Sequence, residues 1–222
     1  MAARWTESVR DESGVASSLL DKHPHDPYIC CVIVTANGPV KVWTEAEFSA
    51  LPEDGFIHEV IDGELVMSPK NNWQHGDICA QLLIAIGTRA RQCKLGAVWD
   101  SSTGFWMRNR NCRAPDIAFV SKARLKGHKR SDRQFFPGAP DLAVEVLAPS
   151  NTRAEIDSRL KDFFASGTQI AWIIDPENEC VEVCRSLTDR KLVGSGGFLE
   201  GEHLLPGFRF PIADLFKEWD WS

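Results

Sequence analysis

Two short apolar runs each carry one acid: Asp116 in Ala-Pro-Asp-Ile-Ala-Phe-Val, residues 114–120, and Glu145 in Asp-Leu-Ala-Val-Glu-Val-Leu-Ala-Pro-Ser, residues 141–150. Burying a charge costs several kcal/mol unless something compensates it. If the two runs are neighbouring strands, both acids can share a hard divalent cation, Mg²⁺ or Mn²⁺. Such an ion prefers carboxylate oxygens and keeps waters for a phosphate substrate. The chemistry to expect is metal-assisted phosphodiester hydrolysis. A hydrolase of this kind wants a cation near the attacking water, to hold it as hydroxide and to offset charge on phosphorus. Lys161 is the candidate, one helical turn after Asp157. The competing reading is a surface ion pair between those two, worth about 0.3–0.5 kcal/mol. Glu64 is a further metal ligand or water-orienting base, with Glu59 the weaker choice on the same strand face. His75, at a helix start, is a candidate phosphate contact or base, against the commoner local hydrogen bond.

The net charge of −6 argues against a protein that coats nucleic acid through its overall field. A local exception surrounds Asp116 in sequence. There Arg113, Lys122, Arg124, Lys126, Lys129 and Arg130, together with His75, are the candidates for holding a phosphate backbone. A solvated loop bearing surface charge is the equal alternative. No apolar run approaches the roughly 18 residues of a membrane span, and the first 27 residues lack a signal-peptide core. The seven cysteines are odd in number and lack zinc-ribbon spacing, so reduced thiols and a cytoplasmic setting are expected.

The elements that must position these residues follow from periodicity. Thr44 with Glu47 is a capping box opening a short helix, and Asp62-Gly63 joins two alternating runs as a hairpin in which Ile61 faces Glu64 and Glu59 faces Val66. Ile78, Leu82, Leu83, Ile86 and Ala90 follow helical spacing over 74–93. Residues 98–107, 116–120, 142–147, 169–175 and 181–185 read as strands. Residues 150–166 read as a helix capped by Thr152 and Glu155 and closed by Gly167. A hairpin from 28 to 43 and a closing segment over 204–216 complete the reading. It predicts an α/β (α+β) fold, a central mixed β-sheet flanked by helices. Residues 1–40 are expected to be an N-terminal extension, 41–217 the domain and 218–222 a tail.

The chain resembles the Uma-two family of restriction endonucleases, within the PD-(D/E)xK nuclease superfamily, from about residue 43 to 216. The resemblance rests on residues 59–66, Ser68-Pro69 with His75, residues 114–120 and 140–150, Asp157 with Lys161, Gly167, residues 171–176, and Leu-Pro-Gly-Phe at 205–208. Their order and spacing carry it, not any one piece. It implies a restriction-endonuclease-like core and a divalent-metal site, with Asp116 as the motif's first aspartate and Glu145 at its (D/E) position. The motif lysine would fall at Leu147, which can neither polarise water nor pair with phosphate. Similar proteins are thought to use a lysine moved to the following helix, matched here by Lys161.

On this reading Asp116, Glu145 and the main-chain carbonyl of Val146 hold Mg²⁺ or Mn²⁺, Lys161 orients the water and Glu64 assists. DNA is the expected substrate, with RNA left open. A homodimer is the simplest way to cut both strands of a duplex, although no residue specifies one. Leu147 and the acidic net charge favour a rival, a non-catalytic nucleic-acid-binding or interaction module. A carboxylate-pair glycoside hydrolase, which needs no metal, ranks lower because the helical lysine and the basic segment have no job there.

Overall fold

Thr44 and Glu47 exchange both capping-box hydrogen bonds and start α1 (Glu45–Ser49). These details come from a computed structural model that describes residues 31–32, 41–68, 71–129 and 135–220. Asp62 and Gly63 both adopt positive φ (50° and 84°), the mirror-image turn whose twist suits a two-residue hairpin. The hairpin pairs β2 (Ile57–Ile61) with β3 (Glu64–Ser68), and its register sets Ile61 against Glu64 and Glu59 against Val66, as expected. Upstream, β1 (Cys31–Val32) adds to the outer edge of β3. Residues 41–43, expected as the other arm of an N-terminal hairpin, form no strand, and residues 33–40 lie outside the described residues.

Asn72 caps α2 (Trp73–Gln92) by accepting the His75 N–H, and Ile78, Leu82, Ile86 and Ala90 form its buried face. The single strand expected over 98–107 is two strands, β4 (Gly96–Asp100) and β5 (Phe105–Trp106), in different sheets. Asp100 Oδ1 accepts the Ser102 N–H, making the local turn that breaks the run. There follow β6 (Cys112–Arg113), β7 (Ile117–Ser121), a short α3 (Lys122–Leu125) and β8 (Phe136–Pro137). Next come β9 (Leu142–Val146), α4 (Arg153–Ser166), β10 (Ile170–Asp175) and β11 (Cys180–Cys184). The chain ends with β12 (Arg190–Gly194), the pair β13 (Phe198–Glu200) and β14 (Arg209–Pro211), and α5 (Ile212–Phe216).

One sheet runs β1-β3-β2-β6-β5-β8 and the other β12-β11-β10-β9-β7-β4. The second is the central mixed sheet: β9 and β10 are parallel across the α4 crossover, and their neighbours are antiparallel. Alternation along β9 divides the core. Leu142, Val144 and Val146 join the cluster under α2, whereas Ala143 faces Ile156, Leu160 and Phe163 of α4. Among the described residues, no helix is long and apolar enough to cross a membrane.

Where β4 meets β7 the backbones approach so closely that a Cβ on Gly96 would lie 2.1 Å from the Val120 carbonyl oxygen. Gly96→Ala is therefore expected to lower stability by about 1–3 kcal/mol, the cost of overpacking a close contact. A shifted urea midpoint at unchanged m-value checks it; an unchanged midpoint would show that β4 can give way.

Candidate active site

β7 and β9 pair Ile117 with Val144 and Ala118 with Ala143, so one step further along the same register Asp116 stands opposite Glu145. Opposed residues of an antiparallel pair project from the same face. That face is the one covered by α4. The Asp116 carboxylate accepts the Val146 N–H at 2.8 Å and lies 3.1 Å from Nε2 of His75, which reaches it from the first turn of α2. Asn71 Nδ2 is 3.0 Å from the same imidazole nitrogen.

Glu145 is 7% exposed. Burial pushes its carboxyl up to about 8; Asp116 and Glu59 add to this, and the Arg159 guanidinium opposes it. Arg159 comes from α4 and brings a cation to the site. It donates to both oxygens of Glu59, at 2.9 and 2.7 Å, and stands 3.4 Å from Glu145. Burial would lower its pKa, but Glu145, Glu59 and Asp116 outweigh that and hold the guanidinium above its ordinary value. Glu59 also accepts the Ala114 N–H at 3.0 Å, tying the hairpin to the segment that leads into Asp116.

Asp116, Glu145, His75 and Arg159, with Glu59 behind them, help to wall a cleft of about 110 Å³ that Glu59 itself does not line, well below the roughly 300–1,000 Å³ of small-molecule pockets. Asp116, Glu145, Glu155 and Arg159 supply its charged side chains, and His75, Ser68, Asn71, Asn72, Ser150 and Asn151 its other polar ones. The capping residue and first turn of α2, and the segment leading into α4 with its first turn, contribute lining residues. The N-terminus of α2 thus brings its partial positive charge to the cleft, whereas that of α4 is matched by the Glu155 carboxylate, which accepts the Thr152 N–H.

Asp116, Glu145, Val146 and His75 come together as the sequence suggested; Lys161 and Glu64 do not line the cleft. Lys161 lies on the exposed side of α4. Two residues apart on a helix means about 200° of rotation, so a helix that turns Arg159 toward the acids turns Lys161 nearly away from them. Asp157, expected beside Lys161, is instead held by Arg190 at 2.8 Å and Arg153 at 3.3 Å. Glu64 sits at the turn end of β3, opposite Ile61 and two pairs along from Glu59, which occupies the buried position facing Arg159.

The basic segment also lies elsewhere than its sequence position implies. Arg113 is 2% exposed and bonds Asp162 through Nε at 2.7 Å and Nη2 at 2.6 Å, with Nη2 also 3.1 Å from Ser158. It is an interior ion pair, not a phosphate contact. Arg124 is engaged by Asp141 and the Ala139 carbonyl. Lys122, Lys126 and Lys129 are exposed, but β7 runs from Asp116 to α3, and its five residues put roughly 17 Å of strand between the acid pair and the first of these lysines. Arg130 lies outside the described residues.

Comparison with known proteins agrees with this architecture. A family profile, Uma2, described as "Putative restriction endonuclease", matches residues 45–213. A crystal structure described as a putative nuclease belonging to DUF820, from Anabaena variabilis, superposes with a TM-score of 0.69 at 22% identity, covering 78% of this chain and 97% of that one. None of the curated proteins compared matches the chain. With that profile covering the hairpin, both acid-bearing strands, α2 and α4, the chain belongs to the Uma2 family of restriction-endonuclease-like proteins and has a nuclease fold.

Proposed function

We propose that the protein is a divalent-metal-dependent nuclease, acting on DNA, with its site at Asp116 and Glu145. The observation that carries this reading is the register that sets those two acids opposite each other at the mouth of a small polar cleft. The donor set fits Mg²⁺ or Mn²⁺: two carboxylates and the adjoining Val146 main chain, all of hard oxygen character. Glu145 is a buried acid whose charge its surroundings undercompensate, a deficit that a dication offsets. When bound, such an ion polarises a phosphate oxygen and lowers the pKa of a water.

The chain's own residues do the rest. Arg159 presents a fixed positive charge at the cleft wall, able to stabilise charge on phosphate though not to take up a proton. His75 orients Asp116 through its Nε2 contact. The N-terminus of α2, with Asn71, Ser150 and Asn151, offers neutral donors to phosphate oxygens. Pure protein is expected to nick plasmid DNA with Mg²⁺ or Mn²⁺ and to stop in chelator; nicking that survives chelation would overturn the assignment.

A second reading is a binding module that keeps the fold without turnover. It is favoured by the absence of lysine among the described residues that line the cleft and by the engagement of Arg159 with Glu59. DNA binding that ignores metal, with no cleavage, would select it.

The reading also has a pH signature. Between the ordinary glutamate range near 4.5 and about 8, the folded, metal-free protein keeps a proton on Glu145 that the unfolded chain has lost. On this group's account, metal-free stability falls as pH rises through that window. An ion must expel the same proton, so Mg²⁺ affinity is expected to rise by roughly tenfold per pH unit toward pH 8 and to level off above it. Calorimetric titration across about pH 6–9 checks this, and an affinity independent of pH would remove Glu145 from the ligand set.

A further inference from the structure

Cys79 lies one turn along α2 from His75, and its thiol meets the side of the imidazole that Asp116 does not use. Sγ is 3.5 Å from Nδ1, while Nε2 is 3.1 Å from the Asp116 carboxylate. One donor atom from each of the three residues lies within 4.8 Å of the others. Phosphodiester hydrolysis has no use for a thiol at this place. We infer that His75, Cys79 and Asp116 form a second cation site, selective for a thiophilic divalent ion, with Zn²⁺ its natural occupant.

The argument is one of geometry and donor softness. Residues four apart on a helix share a face, and the buried Ile78 and Leu82 pin that stretch of α2 to the sheet. Zn–S bonds of about 2.3 Å and Zn–N bonds of about 2.0–2.1 Å in a tetrahedron put sulfur and nitrogen about 3.5 Å apart. The thiol and imidazole already stand at that separation. With Nδ1 as the nitrogen ligand, the Asp116 carboxylate, which now stands against Nε2, has to move round toward the thiol, and the three donors start within 4.8 Å of one another. A thiolate and an imidazole select Zn²⁺ over Mg²⁺. As the Zn–S bond forms, the S–H bond breaks and its proton leaves to solvent. Three protein ligands leave the fourth position for water.

Asp116 belongs to both sites. Its occupation by zinc removes a ligand from the hard-metal pair, so Zn²⁺ acts as an inhibitor of Mg²⁺-dependent cleavage; this consequence, unlike the site itself, rests on the nuclease reading.

The test uses Co²⁺ as a spectroscopic stand-in on the full chain. Wild-type protein and Cys93→Ser, which alters the exposed thiol at the end of the same helix, are expected to show a thiolate-to-cobalt charge-transfer band with tetrahedral ligand-field bands. Cys79→Ser, with its folding checked by thermal melting, is expected to lose the charge-transfer band. A band that survives in Cys79→Ser, or none in the wild type, overturns the site. In parallel, the ratio of nicking rates with and without equimolar Zn²⁺ under excess Mg²⁺ is expected to collapse in the wild type and to return toward one in Cys79→Ser. Wild-type nicking indifferent to Zn²⁺ overturns the inhibition. Absence of any Mg²⁺-dependent nicking refutes the nuclease reading alone, because the cobalt spectrum does not depend on it.

Discussion

Glu145→Gln is expected to leave the fold intact and reduce Mg²⁺-dependent nicking by at least about 100-fold, since even outer-shell partners of a metal ligand are worth 10–100-fold. The prediction separates stability from activity. Burial pushes the Glu145 carboxyl up to about 8, so near neutral pH the metal-free protein already carries it protonated, and an amide of the same shape replaces a neutral group. The thermal midpoint without metal should therefore barely move. What disappears is the gain in midpoint on adding Mg²⁺, because the amide cannot ionise. Asp116→Asn should lose activity to a similar extent while its Oδ1 still accepts the Val146 N–H that Asp116 accepts now. DNA binding held by neutral donors and the α2 N-terminus should persist in both. Wild-type cleavage rates in either variant, with the protein folded, would place the chemistry elsewhere.

The acid pair was legible because its signal is local. An acid inside a β-branched run is anomalous in any context, and Pro115 and Pro149 bracket the runs so that their strand character is plain. The same holds for the capped helices and the Asp62-Gly63 hairpin, where two or three adjacent residues decide the geometry. What failed depended on distances through space. The basic segment is contiguous with Asp116 in sequence, yet an extended strand of five residues carries its lysines to the far end of the sheet. The break at 101–104 sends β4 and β5 to different sheets, which an alternating pattern cannot announce. Sequence favours Glu64 over Glu59 because the hairpin turn sets Glu64 at a strand start, and since both share one strand face only the docking of α4 decides which of the two is covered.

Arg159 is the residue that sequence reasoning passed over, although a signal for it existed. At about 100° per residue, Ile156, Leu160 and Phe163 define a buried arc, with Arg159 about 65° from its centre and Lys161 about 135°. A long cation at the border of an apolar stripe is the one whose stem can be buried and whose head can reach an interior acid. The structure finds it there, against Glu59 and Glu145. Arg159→Met is accordingly expected to cost about 3–5 kcal/mol of stability near neutral pH, the penalty for leaving a buried acid without its partner. Glu59, 1% exposed, would keep only the Ala114 N–H and an Arg113 guanidinium 3.9 Å away. Adding Glu59→Gln to Arg159→Met removes the orphaned charge and should return most of that stability without returning cleavage, because the cation at the cleft wall is still missing. Lys161→Ala, on the exposed side of α4, should change neither quantity. Urea denaturation and plasmid nicking of the four proteins decide between the two cations. If Lys161→Ala abolishes nicking while Arg159→Met nicks normally, the working charge belongs to the lysine, and α4 must rotate when nucleic acid binds.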